Sequence, residues 1–235
     1  MLWRRDAGRS AEHAAALLKG YTGVLQTDGY AAYRSLADPK RGGGPVTLAF
    51  CWAHWRRQFF DIAKSPPAPI ATEALKRIAE LYEIEAEIRG KSADERRAMR
   101  QQKAKPLGEA LKTWLEKTLA QLAGGSSIAQ AIRYALNRWD GLTRFLDDGH
   151  IEIDSNTVER AMRPIALTRK NALFAGSDEG AENWAVLASL IETCKLHGVN
   201  PEAYFTDVLT KLVNNWPNSR LDELMPWAWN TAKLA

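Results

Sequence analysis

Val46-Thr47-Leu48-Ala49-Phe50-Cys51-Trp52 runs almost directly into His54-Trp55-Arg56-Arg57-Gln58-Phe59-Phe60. The first seven residues are continuously apolar and rich in strand formers, which suits a strand buried on both faces. The second seven read as helix. Upstream, Gly20 and Gly23 bracket a turn, and Val24-Leu25-Gln26-Thr27-Asp28-Gly29 reads as another short strand ending at Asp28 and Gly29. A short helix over 10–19, capped by Ser10, precedes it. Strands that pass into helices place the chain in the α/β class.

Working outward, Ser65-Pro66-Pro67-Ala68-Pro69 is the clearest punctuation. Beyond it, Ile70, Ala74, Ile78, Leu81, Ile84 and Ile88 recur at helical spacing, followed by Leu107, Leu111, Leu115 and Leu119. Gly124-Gly125-Ser126 interrupts this pattern, which resumes from Ile128 to Phe145. Three or four helices are predicted, too contiguous to lie within a sheet. From Gly149 the pattern changes. His150-Ile151-Glu152-Ile153-Asp154 alternates, and Ser155-Asn156 can cap a helix from Thr157 to about Met162. Ala181 to His197 is an amphipathic helix, stopped by Gly198. Glu202 to Val213 is the last helix, and Leu221 to Trp229 is apolar enough to dock. The expected divisions are 1–64, a helical insertion or subdomain at 65–148, 149–200, and a C-terminal helix and tail at 201–235. The chain is predominantly helical overall.

The 235 residues suffice for one large domain or two small ones. With 46% apolar and 26% charged residues, disordered and fibrous classes are excluded. No apolar run approaches the roughly 18 residues of a membrane span, and the N-terminus lacks an apolar signal-peptide core. Cys51 and Cys194 exclude a disulfide framework and fit a reducing cytoplasm, the expected location. Net charge is +4, which permits a nucleic-acid partner. Basic residues cluster at Arg4, Arg5 and Arg9, at Arg56 and Arg57, and from Arg89 to Lys105, where interleaved acids favour a solvated helix face. A fourth cluster, Arg160, Arg163, Arg169 and Lys170, flanks a carboxylate, as a site for phosphates and metal would require.

That carboxylate is Glu159. A carboxylate at a strand's carboxyl edge, such as Asp28, is well placed for a ligand or metal, although Asp-Gly is also a common turn. Asn156-Thr157-Val158-Glu159 can be a capping box, with Glu159 reaching back to the Asn156 N–H and no catalysis involved. Paired as a strand-end Asp and a distant helix Glu, they suit hard divalent cations, with a third carboxylate expected. Cys51-x-x-His54 and Cys194-x-x-His197 share one spacing, and together could form a four-ligand zinc site, but neither pair sits in a short knuckle, and a buried thiol and ordinary polar histidines are the favoured reading.

Leu25-Gln26-Thr27-Asp28-Gly29-Tyr30-Ala31-Ala32-Tyr33 and Cys51-Trp52-Ala53-His54-Trp55-Arg56-Arg57-Gln58-Phe59 resemble the central domain of the transposases of bacterial insertion sequence 66. Ile153-Asp154-Ser155-Asn156-Thr157-Val158-Glu159-Arg160-Ala161-Met162-Arg163-Pro164 is similar to that family's acidic helix. Three further runs continue the resemblance: 169–177, 192–201 and 222–227. It implies a partial ribonuclease-H-like fold with a large all-helical insertion. It further implies DNA cleavage and strand transfer by an Asp-Asp-Glu triad holding two Mg2+ ions. Asp28 is similar to the second Asp and Glu159 to the Glu. Cys51 and His54 match a Cys-x-x-His motif of related transposases and are read as organising the site or the DNA, not as zinc ligands. Arg56, Arg57, Arg160, Arg163, Arg169 and Lys170 would be the DNA contacts, acting on phosphates without reading bases. Implied partners are the DNA ends of the element, target DNA, and further copies of the chain or accessory proteins, with no membrane. In this family the first Asp lies on an upstream strand, with a hairpin before the second. The one earlier aspartate here, Asp6, sits among Arg4, Arg5 and Arg9 without strand character and is not assigned to the triad. An N-terminally truncated, catalytically incomplete transposase is therefore expected. The alternatives are a non-catalytic DNA-binding or assembly fragment and a zinc-stabilised structural module.

Overall fold

The structure, a computed structural model, describes residues 10–171 and 177–229, the side chains of 165, 166 and 168–171 excepted. Strands β1 (Gly23–Thr27) and β2 (Val46–Phe50) pair in parallel, in register from Gly23 opposite Val46 to Thr27 opposite Phe50. The Cys51 N–H donates to the Thr27 carbonyl at 2.9 Å, so the pairing continues one step past the strands. Asp28 and Cys51 therefore leave neighbouring strand ends at the same level. A 3-10 helix, Ala31–Ala37, lies in the connection between the strands. Both faces of β2 are used. Val46 packs with Ala14 of α1 (Ala11–Leu17) and Leu36, whereas Ala49 joins the main core.

Helix α2 (Trp52–Ala63) starts one residue after Cys51 and ties the sheet to that core. Trp52, Trp55 and Phe59 recur at i, i+3 and i+7 and are buried. Burying each such ring contributes roughly 2–3 kcal/mol. The two indoles also satisfy their N–H groups. Trp52 Nε1 donates to the Leu142 carbonyl at 2.6 Å and Trp55 Nε1 to the Ala131 carbonyl at 3.0 Å. These carbonyls belong to α7 (Trp139–Thr143) and α6 (Ser127–Leu136). Gly141 of α7 lies so close to Phe50 that any Cβ there would run into its ring. With one face of α2 fixed in this way, the other carries Arg56, Arg57 and Phe60 to the surface.

The periodic stretch after the prolines forms α3 (Pro69–Glu87), α4 (Ala93–Met99), one π turn at Arg100–Ala104, and α5 (Lys105–Leu119), before α6 and α7. The expectation of a solvated face for the basic cluster 89–105 fails at Arg100, whose exposure is 0%. Its Nε and Nη2 donate to the two Glu85 carboxylate oxygens at 2.7 and 2.6 Å. Its Nη1 reaches the carbonyls of Phe145, Asp148 and Ile151 at 2.9, 3.1 and 2.9 Å. A guanidinium can be buried because its forked donors are met in this way.

The segment 151–154 alternates in burial, with Ile151 and Ile153 inside and Glu152 outside, but it is not a strand. The Ile153 carbonyl accepts from the Trp52 N–H at 3.1 Å, and the Glu152 carbonyl accepts from Gln26 Nε2 at 2.7 Å. The segment is thus a strap across the strand ends, leading into α8 (Asn156–Asn171), which runs through Pro164.

The chain divides into two compact units, Gly8–Glu159 and a second that contains Arg160–Ala235. The second contains α9 (Asp178–Leu196), α10 (Pro201–Val213) and the short α11 (Pro226–Trp229). Its own cluster comprises Cys194, Val199, Tyr204, Val208, Leu224 and Trp229. The Tyr204 hydroxyl donates to the Leu224 carbonyl at 2.8 Å, and Trp229 Nε1 donates to Asp207 Oδ2 at 2.7 Å. Among the described residues no helix is long and apolar enough to cross a membrane. Among the described residues the chain is predominantly helical with one small parallel sheet.

Candidate functional site

The carboxyl ends of parallel strands collect functional groups because the chain leaves the sheet there and turns. Asp28 is exposed at the end of β1. Its Oδ1 accepts from the Tyr30 N–H at 2.9 Å, and its own carbonyl accepts from the Tyr134 hydroxyl at 2.6 Å. Gly29 follows at φ 84°, a conformation that favours glycine, and a Cβ there would strike that hydroxyl. The aspartate thus makes the Asp-Gly turn while leaving its carboxylate at the surface.

Cys51 lies between β2 and α2, at the N-cap of the helix; its thiol is buried and accepts from the Ser155 N–H at 3.3 Å. His54, one turn along α2, has its Nδ1 3.5 Å from Glu159 Oε1. That nitrogen is buried and has no hydrogen-bond partner, although the ring is partly exposed. Glu159 lies in the first turn of α8, and Ser155 Oγ donates to its Oε1 at 3.3 Å. The expected capping box on Asn156 is not formed. The Asn156 N–H donates to Asp154 Oδ1 at 3.0 Å, and Asn156 Nδ2 donates to Asp154 Oδ2 at 2.6 Å. Because Asp154 takes the donors at the helix start, the Glu159 carboxylate is left to face His54.

Among the described residues, Cys51, His54 and Glu159 form a group whose ligand-type atoms all lie within 4.8 Å of one another. Asp28 stands at the adjacent strand end but is not a member of this group. Beside it, Ala53, His54, Arg56, Arg57, Phe60, Asn156 and Glu159 line an open hollow of about 250 Å³. Of the residues read as DNA contacts, Arg56 and Arg57 therefore share a concavity with Glu159. Arg160 and Arg163 are exposed on α8. Arg169 and Lys170 lie outside the residues whose side chains are described.

The sequence reading missed the supports of this site. Tyr82, on α3, is half-buried with its hydroxyl inside, beside Asp154; burial first, then the Asp154 charge, pushes its hydroxyl pKa well above the usual value. Arg96 reaches Glu152 Oε1 at 2.8 Å, and Arg100 holds the carbonyl of Ile151, so the insertion fixes the strap at two successive residues. Cys194 meets no such surroundings. It is a buried thiol in the second unit's apolar cluster, and burial raises its pKa. His197 caps the end of α9 and is exposed.

The family profile described as "Transposase IS66 family" matches residues 1–183, and that described as "IS66 C-terminal element" matches residues 189–227. Three Sinorhizobium fredii (strain NBRC 101917 / NGR234) proteins are similar. Uncharacterized protein y4qI is 46% identical over 96% of this chain and 42% of its own length. Uncharacterized protein y4jD is 46% identical over 96% of this chain and 45% of its own. Uncharacterized protein y4hP is 42% identical over 100% of this chain and 44% of its own. The chain thus spans less than half the length of the curated relatives it matches. No solved structure matches it. With profiles of one family matched in order over nearly all of its length, the chain belongs to the IS66 family of transposases.

Proposed function

We propose that this chain carries part of the DNA cleavage and strand-transfer machinery of a transposase, with Asp28 and Glu159 as two of the catalytic carboxylates. The observation that carries this reading is the placement of Glu159 and the Arg56–Arg57 pair around one hollow at the carboxyl ends of parallel strands. Arg56 and Arg57 would hold phosphates of the DNA backbone by charge, without reading sequence. Glu159, supported by Ser155 and the strap, would face the scissile phosphate, and Asp28 would approach it from the neighbouring strand. In this reading the strands belong to a partial ribonuclease-H-like core (1–64 and 149–200) interrupted by the helical insertion 65–148. The region 201–235 is a C-terminal addition. The partners are the element's ends, target DNA and further subunits, in the cytoplasm.

Phosphodiester displacement of this kind uses a divalent metal ion to activate the attacking oxygen and stabilise the leaving one. Magnesium wants several oxygens. Asp28 and Glu159 supply one carboxylate fewer than the three expected. Among the described His, Cys, Asp and Glu side chains, those grouped with Glu159 offer a thiol and an imidazole. That set does not fit Mg2+, and no step is assigned to it. A catalytically incomplete chain is the consequence we propose.

The test is cleavage and joining of DNA carrying the element's ends, with the chain compared with its Asp28→Asn and Glu159→Gln variants. Activity lost at least a hundredfold in both variants supports the enzymatic reading. Binding without cleavage by the unaltered chain supports a DNA-binding or assembly role. Activity retained in Glu159→Gln overturns the assignment of that residue.

A further inference from the structure

The donors beside Glu159 suit a different class of ion. A thiol, an imidazole and one carboxylate are the mixture preferred by borderline-soft cations such as zinc, which bonds sulfur at about 2.3 Å and nitrogen or oxygen at about 2.0–2.2 Å. Tetrahedral ligands at those bond lengths stand about 3.5 Å from one another. His54 Nδ1 and Glu159 Oε1 are 3.5 Å apart, and the three ligand atoms all lie within 4.8 Å. A second, independent observation is the His54 Nδ1 atom itself, buried without a hydrogen-bond partner. A buried polar atom left unsatisfied is destabilising; a bound cation would complete it. Outer support is also in place. The Ser155 N–H donates to Cys51 Sγ and its hydroxyl donates to Glu159 Oε1, so one residue orients two of the ligands. Cys51 is buried while about half of the Glu159 side chain is exposed, which leaves the solvent side of the group open.

We propose that Cys51, His54 and Glu159 form a three-ligand site for a thiophilic divalent cation of the zinc class, its fourth position open to water or a phosphate oxygen. Three protein ligands with an open position are the arrangement of reactive rather than purely structural zinc. The site differs from a four-ligand module built with Cys194 and His197, because its third ligand is the carboxylate. Occupation would draw Glu159 toward a soft ion and make zinc a competitor of any hard cation that uses the same carboxylate. This inference does not rest on the strand-transfer reading, and its test contains no DNA.

The experiment is titration of the chelator-treated full chain with Co2+ as a spectroscopic probe, then displacement by Zn2+. The expected result is one equivalent of cobalt with a thiolate charge-transfer band in the near ultraviolet and visible bands of tetrahedral intensity. Zn2+ should abolish these bands, and a large excess of Mg2+ should leave them. Cys51→Ser should remove the thiolate band. His54→Gln, at a partly exposed ring, should keep the far-ultraviolet circular dichroism unchanged and weaken binding at least tenfold, as should Glu159→Gln. Cys194→Ser should leave the spectrum intact. Absence of a thiolate band in the unaltered chain, its loss in Cys194→Ser, or undiminished affinity in Glu159→Gln would each overturn the site.

Discussion

Cys51-x-x-His54 and Cys194-x-x-His197 share one spacing and have opposite surroundings. The first straddles a strand end and a helix start, where the chain turns and a strap delivers Glu159. The second lies at the end of a long helix, its thiol packed among Val199, Tyr204 and Trp229 and its imidazole outside. A three-residue interval on a helix sets two side chains on one face; it does not decide what meets them. The difference lies in the third element. At Cys51 a polar segment crosses the carboxyl end of a sheet, whereas at Cys194 an apolar tail folds back. One thiol is thereby placed within reach of an ion, and the other serves as a small hydrophobe.

This contrast can be broken most strongly at the clamp that supports only the first motif. Arg100→Met should destabilise the chain by about 3–5 kcal/mol, because Glu85 is left buried with only Arg96, 4.0 Å away, and three carbonyls lose a donor. Urea unfolding measures this, and a loss below about 1 kcal/mol would mean that the strap is held by other contacts. Alkaline pH sharpens the second motif. Burial raises the Cys194 thiol above its ordinary 9.0 and pushes the Tyr204 hydroxyl up to about 12 from 10.0. Folded, both groups keep protons that the unfolded chain releases. Their contribution is therefore complete at neutral pH and is lost as pH rises from about 9 toward 12. Denaturation midpoints across that range should fall, and Tyr204→Phe should flatten the part of the fall above pH 10.0. A fall unchanged in that variant would exclude Tyr204 as its source.

Exchanging the two thiols for hydroxyls gives a smaller, opposed pair of effects. Cys194→Ser puts a hydroxyl into an apolar cluster and should cost about 1–3 kcal/mol. Cys51→Ser keeps an acceptor for the Ser155 N–H and should cost less than about 1 kcal/mol. Equal costs by thermal or chemical unfolding would remove the distinction. The smallest effect is electrostatic. Arg56→Gln and Arg57→Gln should each lower the slope of log affinity against log salt by about 0.9, read in binding titrations with duplex DNA of any sequence. An unchanged slope would take these side chains off the DNA path.

Much of the architecture could be read from local pattern. The apolar run at 46–50, the Asp-Gly stop after β1, the proline punctuation and the helical periodicity beyond it all have local causes, and the elements follow them. The strap shows where that legibility ends. Alternation at 150–154 correctly gives the buried and exposed residues, yet the segment meets the strand ends through one bond from the Trp52 N–H and one from Gln26, not a ladder. Arg100 was indistinguishable from its basic neighbours, because its burial depends on carbonyls some 45–51 positions away. The Asn156–Glu159 spacing suggested a capping box, but Asp154 claimed the donors first. The candidate site was legible as separate pieces. Asp28, Cys51, His54 and Glu159 each stood out by residue type and place. That three of them converge while Asp28 stays outside the group is set by the long-range path of the strap, which no local pattern encodes.

The convergence itself can be observed directly by anomalous diffraction from crystals of the full chain grown with Zn2+, collected on both sides of the zinc edge. The account predicts one strong anomalous peak bounded by Cys51 Sγ, a His54 ring nitrogen and a Glu159 carboxylate oxygen, at about 2.3 Å from sulfur. A peak at Cys194 and His197 instead, or ordered Cys51, His54 and Glu159 side chains with no peak between them, would contradict it.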